Sequence, residues 1–417
     1  MISRRFILGA TLASMATPLV HACAKKGGHS SIKGYAHTIG FLGQRHAEGL
    51  KLWQNGTFNN PSLLSSLNLA TGEILQTALP LERGHSVVPL ADGRLVCIPQ
   101  NGDKAIVVNA NHTNPTTLKA GDGLAFGGHG WEDTQNGTLL LPLMVSPARS
   151  VKDSGTLRLY DTKTLDIIHE RTSGGIHPHE ITTLKSGERL AITHYGDVRQ
   201  IGREGPFHFS PASPCLSIYK RQTLKNIAHY NQDDLNGVLT HLCLAPDGDI
   251  ITVSNQYLPF NSGDEASVLG AVEKFTTLHG RAPSALTQPL VEENRLALIQ
   301  PVRKTNPQTG KTILLADGDH GFSRSQSVCT HIGSGRVFAT FSFSNSLFIL
   351  NKDGSYSRQS AQPYGIHNLR GVAALEETPY LLLTDRHKGI AVINATTLEL
   401  HSTFDVALYG SAHITIS

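Results

Sequence analysis

Histidine is the residue that most clearly suggests chemistry in this sequence. The chain has 21 histidines against 3 methionines and 2 tryptophans. The stretch GGIHPHEITTLKSGERLAITHYG contains three of them, His177, His179 and His194. Neutral imidazole nitrogens are ligands for copper, iron and zinc. Whether these histidines act together depends on whether their spacing recurs elsewhere in the chain.

The spacing does recur, because a histidine stands eight residues before a turn glycine in three consecutive segments. The three pairs are His85 with Gly93, His129 with Gly137, and His179 with Gly187. Three later segments have Thr240, Ser327 and Arg370 at the same position, with His241 one place after Thr240. His413 begins a final strand-like segment, GSAHITIS. The pattern therefore belongs to a repeated unit.

Each repeated unit has the composition of paired β-hairpins. The histidine segments read as strand, tight turn and strand, with Gly beside Asp, Asn or Ser, residues that tolerate a positive φ. Second hairpins follow them, such as LRLYDTKTLDIIHE and IAVINATTLELHSTF, with GAVEKFTTLHGRA a weaker example. An inner and an outer hairpin make one four-stranded blade. Units of roughly 40 to 50 residues with this content are typical of β-propellers.

The number of hairpins predicts how the ring closes. Six inner hairpins are complete, whereas the N-terminal part supplies only the outer hairpin SSLNLATGEILQTAL and the C-terminal part only one strand. We predict an all-β, seven-bladed propeller of the WD or YVTN-like kind, closed by pairing the C-terminal strand with N-terminal strands. Eight blades is the alternative. A single domain spans 32–417, with an insertion around 257–321.

The N-terminal residues 1–23 are predicted to be an export signal. Arg4 and Arg5 precede a short apolar run, as in the twin-arginine motif. We therefore expect the protein in the periplasm, cleaved after Ala22 by signal peptidase I or, since VHAC is an imperfect lipobox, carrying a lipid on Cys23. That lipid would be its only link to a membrane. The net charge of +3, without a basic stripe, argues against a nucleic-acid partner.

The propeller prediction brings the repeated positions together, because the first strand of every blade lines the central channel. We predict a metal site for copper, iron or zinc. Its candidate ligands are His85, His129, His179, His241, His177 and His413. Candidate ligand-binding residues of the same ring are Arg370, Thr240 and Ser327. The alternative is that these histidines only anchor turns.

Other residues near the ring are predicted to be structural. Glu180 should lie on the opposite strand face from His179, because side chains alternate along a strand. His194 should be a solvated or core histidine. No Cys-x-x-Cys pair occurs, so Cys97, Cys243 and Cys329 are predicted to be small buried strand residues. An oxidising destination would permit disulfides among these and Cys215, but the spacing does not indicate which would pair.

The segments FGGHGWEDTQNGTLLL, GGIHPHEITTLKSGERLAI, THLCLAPDGDIITVSNQY and QSVCTHIGSGRVFATFSFSN resemble a family of exported bacterial propellers, domain of unknown function 1513. The chain departs from the family at Thr240, where members usually carry arginine, and at Ser344-Asn345, where Ser-Pro is common. The resemblance implies periplasmic iron or copper handling, with an imelysin-like or di-haem protein as partner.

These observations favour a binding protein that takes a transition metal, a metal complex or a small anion at the channel mouth, as an accessory to iron and copper homeostasis. One alternative is a metal-assisted hydrolase or lactonase. Catalysis of that kind would need a carboxylate ligand, and none stands in the ring positions. A second alternative is a scaffold that binds a partner protein. The sequence has no Gly-x-Ser-x-Gly elbow, P-loop or His-Glu-x-x-His motif.

Overall fold

The computed structural model shows seven antiparallel sheets arranged as the blades of a propeller. It describes residues 32–41, 61–146, 153–196, 213–232, 235, 237–256, 273, 302–316, 322, 324–410 and 413–417. The predicted export signal with Cys23, and most of the predicted insertion, lie outside the described residues. No helix of the described part of the chain is long and apolar enough to cross a membrane.

The first four blades follow one another in chain order, and the three histidine segments of the repeat lie in blades 2 to 4. Blade 1 contains β1 (Tyr35–Phe41), β2 (Ser62–Asn68) and β3 (Ile74–Leu79). Blade 2 contains β4 (Gly84–Pro89), β5 (Leu95–Pro99), β6 (Lys104–Val108) and β7 (Thr116–Lys119). Blade 3 contains β8 (Leu124–Phe126), β9 (Trp131–Asp133), β10 (Thr138–Val145), β11 (Thr156–Asp161) and β12 (Ile167–Thr172). Blade 4 contains β13 (Pro178–Thr183), β14 (Arg189–His194), β15 (Cys215–Lys220) and β16 (Asn226–Asn231).

The remaining strands complete the ring. Blade 5 contains β17 (Gly237–Leu244), β18 (Ile250–Gln256), β19 (Val302–Thr305) and β20 (Thr312–Leu314). Blade 6 contains β21 (Ser325–His331), β22 (Arg336–Phe341), β23 (Ser346–Leu350) and β24 (Tyr356–Ser360). Blade 7 contains β25 (Leu369–Ala374), β26 (Tyr380–Asp385), β27 (Lys388–Asn394) and β28 (Leu400–Ala407). The last strand is β29 (Ile414–Ile416), and two single-turn 3-10 helices lie at Ile332–Ser334 and Gln362–Tyr364.

The ring closes as the hairpin count predicts. Strand β29 pairs antiparallel with β1, so blade 1 has the order β29-β1-β2-β3. Thr38 pairs with Ile414, and the backbones of Tyr35 and Ser417 exchange two hydrogen bonds of 2.9 and 3.0 Å. Closure removes the exposed edge that an open stack of blades would present. The seven-bladed, all-β prediction is confirmed.

The hydrophobic core lies between adjacent blades, because each twisted sheet has apolar side chains on both faces. Between blades 6 and 7, for example, Phe338, Leu347, Leu369 and Leu383 are fully buried against one another. Burying a side chain of this size contributes about 1.5–3 kcal/mol. Each blade thus stabilises its neighbours, and the inner strands are held rigidly around the channel.

The outer hairpin of blade 5 differs from the expected one. The weaker hairpin predicted at GAVEKFTTLHGRA lies, except for Glu273, outside the described residues. Blade 5 is completed by β19 and β20, which lie within the predicted insertion at 257–321. These strands have only four and three residues, and Arg303 interrupts their apolar alternation. Arg303 is nevertheless buried, since its Nη1 donates a 3.0 Å hydrogen bond to Oε1 of Gln232. Because a buried arginine interrupts the apolar alternation, the sequence pattern does not predict a strand at this position.

The four cysteines of the described residues are free thiols. Cys97, Cys215 and Cys243 are buried in strands and Cys329 is half-buried. Burial raises the pKa of Cys215 and of Cys243 to about 12. Thiols with so high a pKa are unreactive at neutral pH.

Candidate metal centre

Five of the predicted ring histidines meet at one end of the channel. His85 lies on β4, His179 on β13 and His241 on β17. His129 lies between β8 and β9, and His413 immediately precedes β29. The ring centroids of neighbouring members are 4.5 to 6.4 Å apart. We call these five residues the histidine cluster.

Irregularities in the inner strands direct these side chains into the channel. Register shifts interrupt β4 between Gly84 and Ser86, β13 between Pro178 and Ile181, and β17 between Leu239 and Leu242. A bulge leaves one residue unpaired and changes the direction of its side chain. The shift in β17 explains why His241, and not Thr240 at the strict repeat position, joins the histidine cluster.

Gly128 leaves the space that two imidazoles occupy. Its φ is +104°, a conformation that favours glycine, and a Cβ there would lie 2.7 Å from Cδ2 of His85 and 3.0 Å from Cε1 of His179. The pair Gly127-Gly128 ahead of His129 therefore has a packing function. It lets the rings from blades 2 and 4 approach the ring from blade 3.

Glu180 orients two members of the histidine cluster. Its Oε2 accepts a 3.0 Å hydrogen bond from Nδ1 of His241 and a 2.9 Å bond from the backbone N–H of Leu242. Its Oε1 lies 3.6 Å from Nδ1 of His129. A carboxylate on Nδ1 places the lone pair on Nε2, which then faces away from the carboxylate. Glu180 was expected on the opposite strand face; the bulge in β13 brings it to the same site as His179.

His179 is held at both ring nitrogens. Its Nδ1 donates a short hydrogen bond to the carbonyl of Gly127, so Nε2 carries the lone pair. That nitrogen accepts a 3.1 Å hydrogen bond from the hydroxyl of Tyr195, whose oxygen in turn accepts a 2.8 Å bond from Gln100. The ring of Tyr195 also packs on His179, with centroids 4.4 Å apart. Any ion that uses His179 would have to displace the tyrosine hydroxyl.

The remaining nitrogens face one another across the channel. Nε2 of His129 is buried and has no hydrogen-bond partner among the described residues. Nε2 of His413 lies 3.0 Å from Nε2 of His85. With metal–nitrogen bonds of 2.0–2.1 Å, two imidazole ligands of one ion lie about 2.9 Å apart at right angles and about 3.3 Å apart in a tetrahedron. The separation of His85 and His413 therefore fits two ligands on one ion, and it equally fits a hydrogen bond between the two rings.

Two overlapping triads have ligand atoms that all lie within 4.8 Å of one another. They are His85, His129 and His179, and His129, His241 and His413. His129 belongs to both. It is thus the central member of the histidine cluster.

Burial keeps four members of the histidine cluster neutral, namely His85, His129, His179 and His413. It is the main cause that lowers the pKa of His85 to about 3, followed by the charges of His241 and Arg370. Burial, followed by the neighbouring histidines, also lowers the pKa values of His129, His179 and His413 well below the usual range. The neutral form is the one that binds metal ions.

The other predicted ring residues lie close by but are used differently. The hydroxyl of Thr240 donates a 2.9 Å bond to the carbonyl of Val253, and that of Ser327 lies 3.5 Å from the carbonyl of Val372. Both thus make contacts within or between blades. His177 is buried with a φ of +51° just before β13, outside the two triads. Arg370 reaches Oε1 of Gln326 with Nη1.

Sequence reasoning missed Tyr195 and Gln326 and misplaced Glu180. Tyr195 directly follows His194 at the end of β14, where no repeat position is expected. His194 itself is a core histidine, fully buried against Gly175. Gln326 is the bulged residue of β21, one place before the expected Ser327. The one-place offset at a strand bulge is a signal that could have identified both Gln326 and His241.

Comparisons with known proteins identify the family and the fold. The family model of the proteins of unknown function called DUF1513 matches residues 77–288, half of this chain of 417 residues. No curated protein matches. Kuenenia stuttgartiensis hydrazine synthase is similar with a TM-score of 0.52 and 10% identity, over 81% of this chain and 90% of that chain.

A second similar structure is dihydro-heme d1 dehydrogenase NirN in complex with DHE. Its TM-score is 0.49 at 9% identity, over 85% of this chain and 65% of that chain, so this chain spans slightly less than two thirds of its length. At such low identities, the likeness to hydrazine synthase shows the propeller fold alone.

Proposed function

The chain belongs to the DUF1513 family of proteins of unknown function, and we propose that this member binds a transition-metal ion at the histidine cluster. The observation that carries the proposal is the convergence of five imidazoles from blades 1 to 5 on one point. Histidines that only anchor turns would each bond to their own blade. Here the rings instead contact rings of other blades.

The hydrogen bonding around the histidine cluster supports a cation at its centre. A buried nitrogen without a partner costs about 1–3 kcal/mol, and Nε2 of His129 is such an atom. The two facing Nε2 atoms of His85 and His413 need either a shared proton or a cation between them. A metal ion satisfies all three nitrogens at once, whereas one proton satisfies only two.

Different residues of the site would bind the ion and orient its ligands. His129, His241, His413 and His85 offer Nε2 as ligands, and Glu180 fixes the ring orientation of His241 from behind. His179 joins when Tyr195 releases its Nε2. Imidazole ligands suit copper, zinc and iron, and among divalent ions such a site binds Cu²⁺ most tightly. We therefore propose copper as the tightest ligand, with zinc and ferrous iron weaker.

Titration of metal-free protein with Cu²⁺, Zn²⁺ and Fe²⁺ tests the proposal. The wild-type protein should bind one ion per chain, and His129→Asn should weaken Cu²⁺ binding by about a hundredfold or more, since it removes a ligand from both triads. His112→Asn is the matched control, because His112 is also buried but bonds to Ser66 and Thr77, outside the histidine cluster. Calorimetry or a competing chelator measures the affinities.

The result that would overturn the proposal is equally clear. Equal affinities of the wild-type protein and His129→Asn would mean that the ion binds elsewhere. Absence of stoichiometric binding of all three ions would leave the histidines as packing groups. Circular dichroism of each variant shows whether a lost affinity comes from a lost fold.

We also propose that the protein works in the periplasm as an accessory to iron or copper handling, with an imelysin-like or di-haem protein as its partner. The proposal is supported by the paired Arg4 and Arg5 and by the family resemblance. Replacing both arginines by lysine should keep the precursor in the cytoplasm. Normal periplasmic accumulation of that variant, measured by cell fractionation, would contradict the twin-arginine route.

A further inference from the structure

Beside the histidine cluster, the channel mouth carries an arginine that the metal proposal does not use. Arg370 occupies the bulge of β25, between Leu369 and Val372, in the blade next to β29. The strands approach closely there, since a Cβ on Gly371 would lie 2.9 Å from the backbone nitrogen of Ile414. Arg370 and His413 each directly precede one of these two residues. The guanidinium thus lies next to the histidine cluster.

The guanidinium of Arg370 is held but not neutralised. Its Nη1 donates to Oε1 of Gln326, a buried side chain whose Nε2 is itself fixed by a 2.7 Å bond to the carbonyl of Ser325. Its Nε is buried and has no hydrogen-bond partner among the described residues. Gln326 is neutral, so this bond orients the cation without balancing its charge. A buried donor and a buried charge both call for an acceptor.

Two more arginines share this end of the channel. Arg324 directly precedes β21, and Arg386 directly follows β26, beside the start of β25. Burial, followed by the positive charges of Arg386 and Arg324, lowers the pKa of Arg370 well below its usual range. Arg370 is therefore repelled by both of these guanidinium groups, while the carboxylate of Asp385 acts in the opposite direction. A bound anion would reduce the repulsion at Arg370.

The carboxylate that acts on Arg370, that of Asp385, is already hydrogen-bonded to the backbone. Oδ2 of Asp385 accepts 2.8 Å bonds from the backbone N–H groups of His367 and Asn368. Its Oδ1 accepts bonds of 2.8 and 3.3 Å from the backbone N–H groups of His387 and Lys388. Four backbone donors use the acceptor capacity of this carboxylate. Asp385 shapes the loop and leaves the planar donors of Arg370 available to a ligand.

We propose that the channel mouth binds a small oxyanion, of the carboxylate or phosphate type, at Arg370 with Arg324 and Arg386, next to the metal. Guanidinium groups match the geometry of such anions through paired N–H donors. Because Arg370 lies beside His413 and His85, an oxygen of the anion can complete the coordination of the ion. The inference rests on the proposed function for its metal part. It names the bound species as a metal ion with an oxyanion ligand.

Calorimetric titration of the metal-free full-length protein with oxalate and, separately, with inorganic phosphate tests the arginine site without the metal. The wild-type protein should bind one of the two anions with one site per chain. Arg370→Gln should weaken that binding at least about tenfold, because it removes a charge-assisted donor pair. The same variant should not weaken Cu²⁺ binding in the absence of anion, because the histidine ligands are unchanged and a positive charge that repels the ion is removed.

Arg336→Gln is the matched control. Arg336 lies at the start of β22, where its Nη1 donates to the carbonyls of Ala395 and Thr396. This is the other end of the inner hairpin, away from the mouth, so anion binding should be unchanged. If Arg370→Gln does not fold, Arg386→Gln provides the same comparison, with an expected loss of similar size. Oxalate and phosphate distinguish a carboxylate site from a phosphate site.

Several outcomes would overturn the inference. The inference is wrong if neither oxalate nor phosphate binds with one site per chain at concentrations up to about 10 mM. It is also wrong if Arg370→Gln and Arg336→Gln bind the anion with equal affinity. Anion binding without any Cu²⁺ binding would reject the metal proposal and leave the arginine site standing. Cu²⁺ binding without anion binding would reject this inference and leave the metal proposal standing.

Discussion

Two groups of buried histidines in this propeller differ in what their ring nitrogens contact. In blade 1, Nδ1 of His37 lies 2.7 Å from Oγ of Ser66, and the same oxygen lies 2.7 Å from Nε2 of His112. The outer nitrogens of the pair reach Ser417 at 2.8 Å and Thr77 at 3.1 Å. We call this set the hydroxyl-linked pair. All four of its ring nitrogens have a hydroxyl partner.

Four members of the histidine cluster are buried to a similar degree and His85 is half-buried, but the cluster is bonded differently. Its rings contact other rings, and Nε2 of His129 has no hydrogen-bond partner among the described residues. Burial lowers the pKa of His37 and of His112 to about 4, much as it lowers the pKa of His85 to about 3. A lowered pKa therefore does not separate a structural histidine from a binding one. The hydrogen-bond partners of the ring nitrogens distinguish the two kinds of histidine.

The largest effect should come from a change that damages both groups. Deleting residues 413–417 removes His413 from the histidine cluster, Ser417 from His37, and strand β29 from blade 1. The open ring should lower the melting temperature by at least about 10 °C or abolish a cooperative transition. Ser417→Ala alone should cost only about 1 kcal/mol. An unchanged melting temperature of the truncated protein would refute closure by β29.

The next effect should be confined to the histidine cluster. Glu180→Gln replaces the carboxylate that holds His241, and the affinity for Cu²⁺ should fall about 10- to 100-fold. Glu132→Gln is the control, because both oxygens of Glu132 accept from the backbone of Ala91, outside the histidine cluster. Metal titration measures both. Equal affinities of the two variants would show that Glu180 does not position a ligand.

A matching change in the hydroxyl-linked pair should affect stability and not metal binding. Ser66→Ala leaves a nitrogen of His37 and one of His112 without a partner, so the free energy of unfolding should fall by about 1–3 kcal/mol. Ser402→Ala serves as control, since Oγ of Ser402 is buried without a hydrogen bond among the described residues and its loss should cost little. Denaturant unfolding gives both values. A reduced Cu²⁺ affinity of Ser66→Ala would break the distinction between the two groups.

The smallest expected effect is the pH dependence of the hydroxyl-linked pair. In the unfolded chain these histidines have the ordinary pKa of about 6.5, whereas burial lowers their folded pKa to about 4. The unfolded state thus binds more protons between these values, so stability is full above pH 6.5 and falls as the pH drops towards 4. Each histidine should cost about 1 kcal/mol between pH 7 and 5.5.

Substitution of one member isolates its share of that pH dependence. His112→Asn removes one titrating group, so the loss of unfolding free energy between pH 7 and 5.5 should be about 1 kcal/mol smaller than in the wild-type protein. Denaturant unfolding at several pH values measures the difference. Identical slopes of the two proteins would mean that His112 already accepts a proton in the folded state.

Much of the fold and part of the site could be predicted from the sequence. The hairpins, the turn glycines and the incomplete units at both ends specify seven blades and their closure, because strand alternation and turn chemistry are local properties. The phase of the repeats also placed His85, His129 and His179 in one ring, as the structure does. The outer hairpin β19–β20 escaped prediction because Arg303 interrupts the apolar alternation of β19, and only the fold brings it to its hydrogen-bond partner Gln232, which follows the last strand of blade 4.

The sequence by itself determined which strands form hairpins, since apolar side chains alternate every two residues along a strand. It also determined which positions share a ring around the channel, since the same position recurs once in every blade. Only the tertiary structure decided which side chain enters the channel at each position. The bulges that admit His241 in place of Thr240, and turn Glu180 towards His241, exist only when each inner strand pairs with its neighbour. The meeting of Arg370 with His413 likewise depends on ring closure, which joins residues from the two ends of the chain.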